Sequence, residues 1–324
     1  MFTNLPLSNY TQESNQKLAH FYAHKKILIT GGAGFIGSHI ADQLVGYNAQ
    51  VTILDNLRTG SLKNIEQIRD RVTFISGNIK DQETCYQATK NQDIIIHCAA
   101  LVSVQESLTS PDECYAINVT GTQNLLHSAA HQHISGFIFS SSAAVYGNKE
   151  GCCHETDLCN PCSPYGYSKY LGELLCQQYA QLYNMPAICL RYFNVYGDRQ
   201  IGTQATSGVI ARFHELMKQN QPITFYGDGQ QTRDFIPVSL VAQANLYAGI
   251  LATDQKLYRD IALNGCPRIN IATNTPTSLK ELFNTLKQQY PNYNQTPICQ
   301  TSRAGDIICS YGDATRLKQL YSRL

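Results

Sequence analysis

From Lys25 onward, short apolar runs rich in Ile and Val alternate with longer amphipathic stretches. Ile27–Thr30, Val51–Leu54, Val72–Ile75, Ile94–His97, Phe137–Ser140 and Ala187–Leu190 read as buried strands, and the stretches between them, such as Ile36–Val45 and Tyr115–His131, have helical spacing. Alternation at this pitch predicts an α/β fold, a doubly wound parallel sheet covered by helices on both faces. Residues 1–24 are polar and carry no strand pattern, so they read as an N-terminal extension with a helix around Ser14–His24. After about Arg191 the rhythm loosens, with more Gly, Pro and polar residues and helices near Val209–Gln219 and Leu279–Gln289. The expected organisation is a nucleotide-binding domain over 25–191, with segments near 235–262 returning to it, and a smaller substrate-binding lobe mainly over 192–324. No internal repeat or low-complexity segment is visible.

Composition narrows the picture. A chain of 324 residues buries a full core without disulfides. With 25 Lys and Arg against 24 Asp and Glu, the net charge of +1 gives no field that favours nucleic acid or an anionic membrane. No apolar stretch approaches the roughly 20 residues of a membrane span, and Met1–Tyr10 has neither a basic start nor an apolar signal core, which places the chain in the cytoplasm. Of the 12 cysteines, Cys152, Cys153, Cys159 and Cys162 crowd one segment with His154. Zinc is conceivable there, but structural sites usually pair two separated ligand couples, and reduced loop thiols are the plainer reading.

The first candidate chemistry is Gly31-Gly32-Ala33-Gly34-Phe35-Ile36-Gly37, placed between the first strand and the first helix. Gly31, Gly34 and Gly37 permit a tight turn, close approach of backbone to a pyrophosphate and close helix packing, while a helix N-terminus presents free N–H groups. Asp55 closes the second strand, where a carboxylate accepts both ribose hydroxyls of NAD and repels the 2'-phosphate of NADP; Arg58 nearby leaves that preference slightly open.

The second is Tyr165 with Lys169, adjacent on one helix face at this spacing. Tyr22 with Lys26 and Tyr86 with Lys90 repeat the spacing, so context decides: Pro164 can start a helix, and Ser142 lies just past a predicted strand, at its carboxyl end. Oxidising a substrate hydroxyl needs a base for the O–H proton, and a free Tyr at a pKa of about 10 is mostly protonated at neutral pH. The Lys169 ammonium and a positive nicotinamide are expected to favour the phenolate.

The glycine string, Asp55, His97-Cys98-Ala99-Ala100, Asn118-Val119-Thr120-Gly121-Thr122, Ser140 to Gly147, Tyr165 with Lys169, and Arg191-Tyr192-Phe193-Asn194-Val195-Tyr196-Gly197 together resemble the extended short-chain dehydrogenases, specifically the NAD-dependent epimerase/dehydratase family. The likeness covers about residues 25–320 and implies a Rossmann-type sheet with a smaller C-terminal lobe. It implies Ser142, Tyr165 and Lys169 as catalytic. NAD would be held by Gly31, Gly34, Phe35, Ile36, Gly37, Asp55, Asn56, Asn78, Ile79, Ala99, Ala100, Asn118, Tyr165, Lys169 and Tyr192. Asn78 stands where the family usually carries an Asp to the adenine, and the chain stops at Leu324, about where relatives continue into a final strand or helix.

Dehydratases and decarboxylases of the family resemble one another in carrying an acidic residue just after the catalytic Ser or Thr; here Ala143 and Ala144 follow Ser142. The simplest completion is 4-epimerisation of a UDP-sugar, with hydride returned to the opposite face of a rotated keto-sugar. Tyr226 to Val238 and Arg303-Ala304-Gly305-Asp306 resemble UDP-binding elements, so Ser142, Asn194, Val209, Tyr226, Arg233, Arg303, Asp306 and Ser310 are the expected substrate contacts. Arg233 and Arg303 would neutralise the diphosphate. Ser310 falls where glucose-only epimerases are similar in carrying a bulky Tyr, which favours UDP-GlcNAc and UDP-GalNAc or their uronic acids. UDP-glucose and UDP-galactose stay permitted. The rivals are a 4-keto reductase on the same scaffold and a non-catalytic NAD-sensing protein. The resemblance also implies a homodimer, pairing Tyr115–His131 and Ser168–Tyr183 as a four-helix bundle.

Overall fold

The computed structural model describes residues 12–201, 208–262, 265–301 and 307–323. The first strands are β1 (Lys26–Thr30), β2 (Gln50–Asp55), β3 (Val72–Ser76), β4 (Ile94–His97), β5 (Gly136–Ser142) and β6 (Ala187–Tyr192). The rest are β7 (Asn194–Tyr196), β8 (Thr224–Tyr226), β9 (Thr232–Pro237), β10 (Arg268–Ile271), β11 (Pro276–Ser278), β12 (Ile298–Gln300) and β13 (Cys309–Ser310). The helices begin with α1 (Gln12–Tyr22), α2 (Phe35–Gly46), α3 (Gln82–Thr89), α4 (Val104–Thr109), α5 (Pro111–Tyr115), α6 (Gly121–His131) and α7 (Pro164–Tyr183). They end with α8 (Val209–Lys218), α9 (Val238–Thr253), α10 (Gln255–Ile261), α11 (Leu279–Lys287) and α12 (Thr315–Arg323).

Seven strands form one parallel sheet in the order β3-β2-β1-β4-β5-β6-β10. Successive side chains alternate between its faces. Ile27, Ile29, Ile53 and Ile96 therefore pack with Ile40 and Leu44 of α2 and Val241 and Leu251 of α9. Leu28, Leu54, Ile95 and Phe139 point the other way, into a cluster with Leu125 of α6 and Cys176 of α7. Both faces are covered, which is why these strands read as nearly continuous apolar runs. The order reverses between β1 and β4, and the cleft opens at their carboxyl ends, where open α/β sheets bind ligands.

The sequence reading did not place Arg268–Ile271 in this sheet; it forms the edge strand β10. The stretch expected as one helix over Tyr115–His131 is broken by a π-turn, Ala116–Thr120, between α5 and α6. The polar extension contributes to the core: Leu18 and Tyr22 of α1 are fully buried, and the Tyr22 hydroxyl donates to the Leu246 carbonyl at 2.6 Å.

The smaller lobe holds β7, β9, β11 and β13 in one sheet and β8 with β12 in another, with Phe213, Phe225, Leu282, Phe283 and Leu286 among its core residues. Asp234 fixes its seam. The buried carboxylate accepts from Thr273 N (2.9 Å), Thr273 Oγ1 (2.6 Å), Asn274 N (2.9 Å) and Gly312 N (3.3 Å). Among the described residues no helix is long and apolar enough to cross a membrane.

Candidate active site

The cleft has a volume of about 410 Å³. At one end β1 runs into Gly31, whose φ of +70° suits glycine; a Cβ there would stand 2.7 Å from Ala99 N. α2 starts at Phe35, and its N-cap, Gly34, supplies no side-chain acceptor, so the first-turn N–H groups keep their capacity for an anion. Asp55 is 6% exposed. It accepts from Ala33 N (3.0 Å) and Leu57 N (2.8 Å), and burial still pushes its pKa up. A tight glycine turn, an uncapped helix start and a carboxylate closing β2 fit a dinucleotide of the NAD type.

At the other end β5 delivers three serines with separate tasks. The Ser140 carbonyl accepts from Lys169 Nζ at 2.8 Å, Ser141 Oγ donates to Glu173 Oε1 at 2.6 Å, and Ser142, whose Oγ accepts from Ala144 N at 3.2 Å, is the polar group that works to lower the pKa of the Tyr165 hydroxyl. α7 supplies their partners at one-turn intervals: Tyr165, Lys169 and Glu173. Its start is set by Ser163, whose Oγ accepts from Gly166 N at 3.1 Å, and by Pro164 in the first turn. Its depth is set by Gly172, where a Cβ would fall 2.4 Å from the Phe139 ring. Its register is set by Glu173, fully buried, which accepts from Arg191 Nε (2.8 Å), Arg191 Nη2 (2.7 Å) and Arg268 Nε (3.2 Å).

The expected lowering of the Tyr165 pKa does not come from the protein's own groups. Burial raises it, the Ser142 hydroxyl opposes that, and Cys114 adds to the rise. Burial also pulls Lys169 down to about 8, which still leaves the ammonium mostly charged at neutral pH.

Of the residues expected to hold NAD, Gly31, Gly34, Phe35, Ile36, Gly37, Asp55, Asn56, Asn78, Ile79, Ala99, Ala100, Tyr165, Lys169 and Tyr192 all line the cleft, as do Ser142 and Asn194. Asn118 stands behind the wall, 2% exposed, where its amide holds both backbone groups of Leu101. Val209, Tyr226, Arg233 and Ser310 lie off the lining; Ser310 pairs in register with Arg233 in the second sheet. Arg303 and Asp306 fall outside the described residues. The sequence reading missed Glu106 and Arg199 on the lining. Glu106 accepts from Arg58 Nη2 at 2.5 Å, so the arginine that left the cofactor preference open is already paired. Arg199 Nη2 bonds Asp42 of α2 at 2.5 Å. Helical or strand periodicity gives no signal for either contact. In the cysteine-rich segment Cys153 is buried and Cys162 exposed, and no group of three His, Cys, Asp or Glu able to hold a metal occurs among the described residues.

The cleft at the switch point of the sheet, with its glycine turn and the Asp55 carboxylate, fits a dinucleotide-dependent enzyme. The sequence matches the NAD dependent epimerase/dehydratase family over residues 27–256, and the chain belongs to that family, with NAD as its cofactor. It is 39% identical over 298 residues to a Methanocaldococcus jannaschii protein provisionally named a UDP-glucose 4-epimerase, covering 91% of this chain and 92% of that one. The fold superposes on a UDP-N-acetylglucosamine 4-epimerase from Methanobrevibacter ruminantium, solved in complex with UDP-N-acetylmuramic acid, with a TM-score of 0.84, 31% identity and 92% of each chain covered. A UDP-glucose 4-epimerase from Thermotoga maritima with UDP-glucose gives a TM-score of 0.81 at 32% identity, covering 90% of this chain and 91% of that one.

Proposed function

We propose that the enzyme interconverts C4 epimers of a UDP-sugar, with UDP-GlcNAc and UDP-GalNAc, or their uronic acids, as the preferred pair. One observation carries the reading: Ser142, Tyr165 and Lys169 converge on a cleft where, among the described residues, no carboxylate is placed to remove a C5 proton. Ala143 and Ala144 follow Ser142, and the two carboxylates on the lining are committed elsewhere, Asp55 to two backbone N–H groups and Glu106 to Arg58. Among the described residues an elimination or decarboxylation has no partner there, whereas an oxidation reversed on the other sugar face needs none.

Bound NAD supplies a reversible two-electron acceptor for the sugar carbon. Ser142 holds the reacting oxygen, Tyr165 takes and returns its proton, and Lys169, anchored to the Ser140 carbonyl, keeps positive charge beside them. Gly31, the first turn of α2 and Asp55 hold the dinucleotide. The family resemblance would have Arg233 and Arg303 neutralise the UDP diphosphate and Ser310 leave room for an acyl-amino group, beyond the described lining of the cleft.

Incubation with UDP-GlcNAc, followed by proton NMR, tests the reading: an equilibrium mixture with UDP-GalNAc is expected. Conversion of UDP-glucose alone would move the preference to the smaller sugar, the reading that the names of the relatives favour. Stoichiometric NADH consumption would indicate a keto-reductase instead.

Two features of the cell biology follow the same reading. All 12 cysteines are free thiols, which suits the reducing cytoplasm. Tyr167, Leu171, Leu174 and Leu182 form an exposed apolar stripe along α7, which suits a homodimer built on this helix. A Leu171→Glu, Leu174→Glu variant is expected to sediment as a monomer while the parent sediments as a dimer.

A further inference from the structure

His97 ends β4 and is 1% exposed, yet it does not line the cleft. Its hydrogen bonds admit one proton arrangement. Thr122 Oγ1 donates its only proton to the Asn118 carbonyl (2.6 Å), so it must accept from His97 Nε2 (2.9 Å), which therefore carries hydrogen. Burial, with the Lys169 charge as the lesser cause, pulls the ring down to about 3, so the imidazole is neutral and Nδ1 is bare. Nδ1 accepts from Thr30 Oγ1 (2.7 Å), whose oxygen in turn accepts from Ala99 N (3.3 Å) on the cofactor wall.

The run continues in the opposite direction. Asn118 Nδ2 donates to Ser168 Oγ (2.9 Å), and Ser168 Oγ donates to the Tyr165 carbonyl (2.7 Å). Two runs of hydrogen bonds, joined through Asn118, whose backbone carbonyl ends one and whose side-chain amide starts the other, thus span from the Thr30–Ala99 edge of the dinucleotide cradle, through the π-turn, to the first turn of α7. Every proton in them is assigned, and none is left to turn.

We infer that His97 is a positioning residue which, as neutral donor and acceptor, fixes the cofactor wall at Ala99 and the backbone of Tyr165 relative to each other. Burial alone requires both nitrogens to be satisfied; what marks His97 is that one partner leads to the cofactor wall and the other to the π-turn. The inference deepens the proposed epimerase reading, and its turnover arm rests on that reading; its cofactor arm rests only on NAD binding.

The test uses the full chain with His97→Leu, His97→Gln and Thr122→Val. Glutamine carries one acceptor and one donor across a single carbon, as Nδ1 and Nε2–H are, whereas leucine keeps only bulk; valine removes the Thr122 oxygen and little else. His97→Leu and Thr122→Val are expected to lower kcat about ten- to a hundred-fold, the scale of a small misplacement of reacting groups, with the KM for UDP-sugar unchanged. Both should weaken NAD in calorimetric titration several-fold, and His97→Gln should recover most of each loss. Equal losses in the Gln and Leu variants, or wild-type kcat and NAD affinity in folded His97→Leu, overturn the inference. If His97→Leu fails to fold, Thr122→Val decides by the same readouts. A parent enzyme inactive on every UDP-sugar would instead sink the epimerase reading, and unchanged NAD affinity in Thr122→Val would then overturn this inference on its own.

Discussion

Tyr165 enters the reaction with a handicap, because burial raises the pKa of the group proposed as the base. The Ser142 hydroxyl works against that rise and so favours the ionised phenol. Tyr165→Phe is therefore expected to lose about 10²- to 10⁴-fold in kcat, the usual worth of a positioned acid–base group, while still binding NAD; single-turnover assays on the loaded protein check both. His97 gives a separate prediction in acid. Its folded value, about 3, lies below the ordinary 6.5, so between those values the unfolded chain binds the proton more readily. The contribution to stability is complete above the ordinary value and drains away as pH falls towards the folded one, by up to about 1.4 kcal/mol for each unit. Urea unfolding from neutral to acid pH should show a shallower decline in His97→Gln than in the parent.

Among the elements, α7 carries both ends of the argument: its inner face holds the reactive side chains and its fit on β5 is tight. Adding a methyl at Gly172 drives it into Phe139. Gly172→Ala is expected to cost about 1–3 kcal/mol from overpacking despite alanine's better helix propensity, and to lower kcat more than it raises KM; urea midpoints and steady-state rates check it. Six strands of the main sheet were legible in the sequence because burial on both faces leaves them few polar residues. β10 was not, since Arg268 reaches Glu173 and Asn270 bonds the Tyr146 hydroxyl at 2.6 Å, so its polar residues mask a buried strand. The π-turn was hidden because Ala116–Thr120 keeps the helical spacing of apolar positions on either side, and what marks it is where Asn118 points. The cofactor cradle was legible because its glycines are contiguous with β1 and α2. Glu106 and Arg199 were not, because only the folded chain brings their partners Arg58 and Asp42 alongside.

For the whole molecule, α9 is the hub on which distant parts of the chain converge. It packs on the sheet, against α2 and against α1, and its Tyr247 meets the Tyr321 ring of α12 at 4.6 Å and hydrogen-bonds Ser14. Leu18→Ala is expected to cost about 2–5 kcal/mol of stability, the range for emptying a fully buried site, with kcat unchanged; thermal unfolding beside an activity assay would show the split. The contact between Tyr22 and Leu246 joins residues 224 positions apart. Seen from the ribosome, the order of manufacture is the reverse of the order of shelter: α1 emerges early, yet its greasy face has no seat until α9 has been translated. Until then Leu18 and Tyr22 stand in water, and a pause in elongation before Val238 would lengthen that exposure.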